Sequence, residues 1–241
     1  MDAISRNALH MDTDPFLTDL VTRRTGAGSL TLHSPQREVF YHSVHGAVQE
    51  STHVFIKAGL EFVGKKQVDV LEVGLGTGLN LLLTWVRCLE GKCAATYTAL
   101  EPHPLAKEQL EALAHCRDLA WPGLHDPFIA RMISPSTDWQ DVLGGLTFRK
   151  LPTLVQEFEA AAEFDVIYFD AFAPRAQPEL WTVDVFRRML RALRPGGVLV
   201  TYCAKGDVRR AMQAAGFTVA RIQGPVGKKE MLRAIKPNAP S

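Results

Sequence analysis

The sequence predicts an α/β protein built on a mostly parallel, doubly wound sheet. Three observations carry that prediction. From Gln67 onward short apolar runs alternate with helical patterns, a glycine-rich turn follows the first run, and the last two runs lie very close together. Strands are expected at Val68–Val73, Thr96–Glu101, Leu146–Leu151, Asp165–Asp170, Val198–Tyr202, Phe217–Ile222 and Glu230–Ile235, seven in all. The last two follow Arg194-Pro-Gly-Gly197 and a short helix near Val208–Ala215, with seven residues between them. A parallel crossover needs about a dozen residues or more, so the final strand must run antiparallel.

Upstream of Gln67 the pattern differs. The stretch to about Phe40 lacks sustained helical periodicity, and Thr18–Arg24 and Ser29–Leu32, split by Gly26-Ala27-Gly28, read as a β-hairpin. Val48, Phe55, Ala58 and Phe62 then recur at intervals that suit a helix over Val48–Phe62. The expected organisation is an N-terminal extension over 1–60, hairpin and leading helix, followed by the main domain over 61–241.

With 241 residues, 46% of them hydrophobic, the chain can bury one full core. No window approaches eighteen uninterrupted apolar residues, and Asp2, Asp12 and Asp14 occupy the place of a signal peptide's basic and apolar run, so a soluble cytoplasmic protein is expected. Cys88, Cys93, Cys116 and Cys203 are scattered, which points to reduced structural thiols. His42, His45 and His53 lack nearby acidic or thiol partners, so no metal site is expected. The net charge of +1 hides an asymmetry: residues 171–241 hold thirteen Lys or Arg against four Asp or Glu, a balance of +9, and residues 1–170 hold fourteen against twenty-two, −8. A basic C-terminal region is thus available to a polyanion.

The sharpest motif is Leu71-Glu72-Val73-Gly74-Leu75-Gly76-Thr77-Gly78-Leu79-Asn80, a strand that enters a glycine turn and opens a helix. Such a turn lets the backbone and a helix N-terminus approach a polar ligand. A P-loop is excluded because no Gly-Lys-Ser/Thr follows. A nicotinamide site wants Gly or Ala where Leu79 sits. The GxGxG turn with an acid two residues ahead, together with the antiparallel closing strand, resembles Rossmann-like class I S-adenosylmethionine-dependent methyltransferases. That resemblance implies a cofactor site at Glu72, Gly74, Gly76, Gly78 and Asn80, with Glu72 toward the methionine end. Glu101 ends the second strand, where a carboxylate can accept both ribose hydroxyls, as it also can in nicotinamide enzymes.

Asp165–Asp170 is a buried-strand pattern that runs into Asp170-Ala-Phe-Ala-Pro174, and strand carboxyl ends face the ligand crevice in such sheets. The bland alternative is an aspartate that caps a turn. Asp170-Ala-Phe-Ala-Pro, Pro178-Glu-Leu-Trp-Thr182, Arg194-Pro-Gly-Gly197, Thr201-Tyr202, Gly206-Asp-Val-Arg-Arg210, Ala215-Gly-Phe217 and Gly227-Lys-Lys-Glu-Met-Leu232 together resemble the methyltransferase domain of the MnmC family of tRNA 5-methylaminomethyl-2-thiouridine biosynthesis proteins. Gly46, Glu50, Val54-Phe55 and the glycine turn continue the match, which covers roughly Tyr41–Ile235.

The resemblance implies methyl transfer from S-adenosylmethionine to the amine of 5-aminomethyl-2-thiouridine at the wobble position, with the tRNA anticodon stem-loop as partner. It implies a stand-alone methyltransferase without the FAD-dependent oxidase domain of bifunctional members. Asp170 matches the proposed catalytic aspartate and also borders the cofactor. With a pKa near ~3.9 it would orient the amine rather than deprotonate it. Tyr41, Glu50 and Phe172 are candidate acceptor-side residues, and Arg175, Arg209, Arg210, Lys228 and Lys229 are candidate phosphate contacts. Arg187, Arg191 and Arg194 read as one solvated helix face. One departure stands out: Arg149-Lys150-Leu151 occupies the place after the third strand where the family tends to put an acid for adenine. The alternatives are another amine acceptor, a non-catalytic cofactor- or RNA-binding module, or a nicotinamide oxidoreductase.

Overall fold

The computed structural model describes residues 21–24, 30–34, 39–40, 46–113 and 115–238. In chain order these form β1 (Val21–Arg24), β2 (Leu30–Ser34), β3 (Val39–Phe40) and α1 (Ala47–Ser51), which continues as a π-helix over Thr52–Glu61. Then come β4 (Gln67–Val73), α2 (Leu79–Leu89), β5 (Ala94–Leu100), α3 (Lys107–Glu111), α4 (His115–Asp118), α5 (His125–Ile133), β6 (Gln140–Val142) and β7 (Leu146–Leu151). The chain ends with β8 (Phe164–Phe169), α6 (Val183–Ala192), β9 (Leu193–Thr201), α7 (Gly206–Ala215), β10 (Thr218–Gln223) and β11 (Glu230–Ile235).

The main sheet has the order β10-β11-β9-β8-β4-β5-β7-β6. Its centre, β9 to β7, is parallel, and β11 runs antiparallel to both β9 and β10, as the short connection requires. The expected seven strands become eight. The added β6 is three residues long, has no buried position and pairs antiparallel with β7 at the sheet edge, so no apolar period announces it. Two expected strand ends also move by one residue, which leaves Glu101 and Asp170 just beyond β5 and β8. In the small N-terminal sheet β1 pairs antiparallel with β2 and β2 with β3. The hairpin is present; Thr18 and Gly26-Ala27-Gly28 lie outside the described residues.

Side-chain alternation gives the central strands two buried faces. Val70, Tyr97, Phe148, Val166, Tyr168 and Val200 pack under the π-helix, α2 and α5, and Leu71, Val73, Ile167, Phe169 and Leu199 pack under α6 and α7. All six residues of β8 are buried, as expected of a central strand covered on both sides. On the α6 side Thr182 caps the helix, its hydroxyl oxygen accepting from the Val185 amide at 3.3 Å.

The leading helix departs from its predicted face. A π-helix holds more residues per turn than an α-helix, so an apolar stripe counted at 3.6 drifts around it. Val54, Phe55, Ile56, Ala58, Gly59 and Leu60 are buried, while Phe62 is 45% exposed with the Arg233 guanidinium 3.5 Å from its ring centre. His53 ties the same segment to the sheet through a 2.9 Å hydrogen bond between its Nε2 and the Gln223 carbonyl.

Arg194 is likewise displaced from its expected setting. Helix α6 stops at Ala192, so Arg194 belongs to β9 and bridges Asp69 at 2.7 Å and Asp165 at 3.1 Å. Asp165 is 3% exposed and also receives Lys65 at 2.6 Å and the Asp69 amide at 3.0 Å. Burial opposes its ionisation, but these donors outweigh burial and hold the carboxyl below its ordinary value of 3.8. Arg194→Ala is expected to cost about 2 kcal/mol at neutral pH, less than a fully buried pair because the guanidinium is partly exposed. Because the Asp165 pKa is depressed, this stabilisation is fully present above the unfolded carboxylate value of 3.8 and is lost as pH falls below it through the lower folded value. Urea titrations at pH 7 and near pH 3 check both the size of the deficit and its shrinkage in acid.

Candidate active site

Strand order reverses between β4 and β8: β4 leads outward to β5 and β7, and the chain returns to place β8 on the other side of β4. Such switch points open a crevice at the strand carboxyl ends. The glycine turn leaves β4 there and Asp170 leaves β8. The two meet closely. Gly74 has φ +85, and a Cβ on it would stand 2.9 Å from the Asp170 carbonyl oxygen, so only glycine lets the turn pass. The ladder is closed above it by Asp170 N to Val73 O at 3.0 Å and Gly74 N to Leu100 O at 3.1 Å.

A chain of side chains links the two loops. Asn80, in the first turn of α2, donates from Nδ2 to Glu72 Oε1 and to Asp170 Oδ2, both at 2.8 Å. Tyr97 donates its hydroxyl to Glu72 Oε2 at 2.7 Å. Tyr97 lies opposite Val70 in the β4–β5 ladder and reaches Glu72 diagonally. Glu72 is therefore sealed beneath the turn, 0% exposed with both oxygens engaged. Burial, and next the neighbouring Asp170, push its carboxyl well above the ordinary value.

The surroundings of Asp170 are built from segments far apart in the chain. Glu50 of α1 pairs with Lys228 of the β10–β11 connection. The Lys228 ammonium also stands 4.5 Å from the centre of the Tyr202 ring. Tyr202 in turn donates its hydroxyl to the Ala171 carbonyl at 2.8 Å. Trp181 Nε1 donates to the Phe172 carbonyl at 2.9 Å and the Phe172 amide donates to Gln177 Oε1 at 3.2 Å, so the loop after Asp170 is pinned along its length. Burial pushes the Asp170 carboxyl from 3.8 to about 7; Glu50 adds to the shift, and Asn80 and Lys228 oppose it.

On the other side of the glycine turn lies a cleft of about 400 Å³, lined in part by Glu101, Leu105, Met132, Ile133, Lys150 and Pro152. Glu101 accepts the Gly76 amide at 2.7 Å and the His103 amide at 2.9 Å, one on each oxygen, which leaves lone pairs for further donors. Lys150 donates to the Met132 carbonyl and so fastens the end of α5 to β7. Strand β7 has its expected limits, Leu146–Leu151, so Arg149, Lys150 and Leu151 are its last three residues. A concave wall, a carboxylate with open lone pairs and a glycine turn beside it fit an adenosyl nucleoside.

The structure thus brings together Glu72, Gly74, Gly76, Asn80, Glu101 and Asp170 around one crevice, with Gly78, Glu50, Phe172 and Lys228 at its margins. Gly78 adjoins Met132 and Phe128, which a Cβ would meet within 2.8 Å. Arg175, Arg210 and Lys229 are exposed, Arg210 pairs with Asp207, and Arg209 is half-buried in α7. Tyr41 lies outside the described residues, as do His42 and His45. Tyr97 and Gln177 lie outside the motifs read from sequence, and Trp181 and Tyr202 stand within those motifs but were given no role there. A buried tyrosine hydroxyl needs a partner, which was the available signal for Tyr97.

A family model described as S-adenosyl-L-methionine-dependent methyltransferase matches residues 138–237, a stretch that includes Asp170 and Lys228. The chain is 32% identical over 226 residues to the tRNA 5-methylaminomethyl-2-thiouridine biosynthesis bifunctional protein MnmC of Burkholderia multivorans, covering 84% of this chain and 33% of that protein. It is 33% identical over 215 residues to the protein of the same name from Cupriavidus necator, covering 83% and 32%. The chain thus spans about a third of the length of these curated relatives. The fold is shared with the crystal structure of MnmC2 from Aquifex aeolicus, at a TM-score of 0.74 and 23% identity over 93% of this chain and 72% of that one. The resemblance drawn from the motifs is borne out.

The raised Asp170 carboxyl makes a stability prediction that does not depend on turnover. A folded-state pKa above the unfolded one means that ionisation weakens the fold as pH rises from 3.8 toward 7. Asp170→Asn, which cannot ionise, should melt close to the wild type near pH 4 and progressively above it as the pH approaches 8. Melting curves across that window that stay parallel would remove the strained carboxylate.

Proposed function

This chain belongs to the S-adenosyl-L-methionine-dependent methyltransferases as a relative of the methyltransferase region of MnmC, and on that premise we propose that it methylates the amine of 5-aminomethyl-2-thiouridine at the wobble position of tRNA. The supporting observation is the company that Asp170 keeps. Beside it an alkylammonium, that of Lys228, is held between a carboxylate and an aromatic face. A pocket that accommodates one primary ammonium in this way suits a substrate that presents another.

The bound cofactor supplies an electrophilic methyl group on a sulfonium, and the residues of the chain have to deliver a neutral amine to it in line. Asp170 is placed to accept a hydrogen bond from that amine and to take up its proton. With its carboxyl near 7 it is a far better match to that proton than an ordinary aspartate, and this shifts the reading from orientation alone toward proton acceptance. Glu50 and Tyr202 hold the cationic form on arrival. The pinned Ala171–Gln177 loop fixes Asp170 so that little reorganisation is needed. Glu101 and the glycine turn would hold the ribose and methionine ends of the cofactor, with Glu72 acting through Asn80.

Outside the pocket, Arg175, Arg209, Arg210 and Lys229 provide cations for the phosphate backbone, in keeping with the +9 balance of residues 171–241. Lys228 is better placed as part of the acceptor pocket than as a phosphate contact.

Undermodified tRNA incubated with the protein and S-adenosylmethionine should yield a nucleoside heavier by one methyl group at the wobble position. Asp170→Ala should bind cofactor normally and lose about a hundredfold or more in transfer rate. Label that enters a small amine or a protein instead of tRNA would overturn the acceptor assignment. Each of Arg175→Ala and Lys229→Ala should lower the salt dependence of tRNA binding by about one unit of log–log slope. An unchanged slope in both variants would remove these two contacts.

A further inference from the structure

The molecule contains one arrangement that neither the family resemblance nor the proposed reaction accounts for: an uncharged amide between a fully buried carboxylate, Glu72, and a half-buried one, Asp170. Asn80 is 2% exposed. Its Nδ2 gives one hydrogen to Glu72 and the other to Asp170, each at 2.8 Å. Among the described residues this is the sole hydrogen bond of the Asp170 side chain, and it engages Oδ2, leaving Oδ1 for the acceptor. The orientation of the amide is forced, because turning it over would set Oδ1 against two carboxylates. The consequence is visible: among the described residues Asn80 Oδ1 is buried without a partner, a cost that the two hydrogen bonds from Nδ2 have to offset.

We propose that Asn80 is a positioning residue for Asp170, anchored from below by Tyr97 and Glu72, and that its amide clamps one oxygen of the carboxylate and presents the other to the acceptor. The inference rests on the assignment of Asp170 to the reaction and adds the device that aims it. Three features of the site agree. The Glu72 end is fixed, since Tyr97 holds its second oxygen at 2.7 Å. The Asn80 backbone is fixed too, since Thr84 donates its hydroxyl to the Asn80 carbonyl at 2.8 Å and itself lies 3.3 Å from the Tyr168 hydroxyl. Finally, the choice of side chain is chemically narrow. A lysine would neutralise one carboxylate, a serine has one hydrogen to give, and an aspartate would add a third acid.

The groups that face Asp170 are Glu50 from α1, Lys228 from the β10–β11 connection, Tyr202 from the end of β9 and, beyond Asn80, Glu72 from β4. Of these neighbours Asn80 alone bonds directly to the carboxylate, and it favours the ionised form. Removing the amide should therefore move the ionisation of Asp170 upward while the other four groups stay in place.

The test follows the carboxyl carbon of Asp170 by NMR in protein labelled with 13C-aspartate, the signal being assigned by its loss in Asp170→Asn. In Asn80→Ala the titration midpoint should rise by about one pH unit. In the near-isosteric Asn80→Leu, which fills the same space without adding charge and serves if the alanine variant does not fold, it should rise likewise. The pH at which methyl transfer is half-maximal should move in the same direction, a change that a merely structural role for Asn80 would not produce. A midpoint unmoved from wild type in whichever variant folds overturns the proposal. Because the titration needs no acceptor, a protein that fails to methylate tRNA would sink the proposed function and still leave this inference to be decided by the NMR result.

Discussion

The parallel pairing of β4 with β8 is the constraint on which the rest of the site depends. Their ladder runs from Val70–Val166 to Val73–Phe169, and one further hydrogen bond, from the Asp170 amide to the Val73 carbonyl, extends it past the strand ends. That last bond fixes where the chain turns away on each side. The glycine turn goes one way and the aspartate loop the other, in contact at Gly74. Every later feature inherits this geometry: α2 starts where the turn releases it, Asn80 sits in its first turn, and the amide lands between two carboxylates because those carboxylates belong to the paired strands.

Burial then converts position into chemistry. Glu72, Glu101 and Asp170 all lie where water is scarce, and all three are pushed toward higher proton affinity by that burial. They differ in what opposes it. Glu101 has two backbone amides and remains open to a ligand. Glu72 is closed in by Tyr97 and Asn80. Asp170 has one amide and a mixed electrostatic neighbourhood, Glu50 raising its pKa and Lys228 lowering it. Three acids of one residue class are thus set apart by their neighbours alone, and the roles proposed for them, nucleoside holder, anchor and proton acceptor, rest on that difference.

Much of this was legible in the sequence, for identifiable reasons. The strands of the parallel sheet are short apolar runs between helices, and the Gly74–Asn80 motif is dense in residues that only one kind of turn requires. The antiparallel closing strand followed from the length of a single connection. The failures have equally specific causes. Strand β6 has no buried face to impose a period, and the π-helix has a repeat that an α-helical count misses. Arg194 sits one strand boundary away from the helix to which spacing assigned it. In the site, single residues were readable and their partners were not. Glu72–Asn80 is a local pair, whereas Asn80–Asp170 and Glu50–Lys228 join residues 90 and 178 positions apart, distances at which sequence spacing carries no geometric information.

The 178-residue span of the Glu50–Lys228 pair has a consequence for how the molecule comes into being. During synthesis Glu50 emerges 178 residues before Lys228, and β8, which frames the glycine turn through its ladder with β4, is made between them. The pocket is therefore a clasp whose two jaws, far apart along the chain, meet only once the sheet between them has formed.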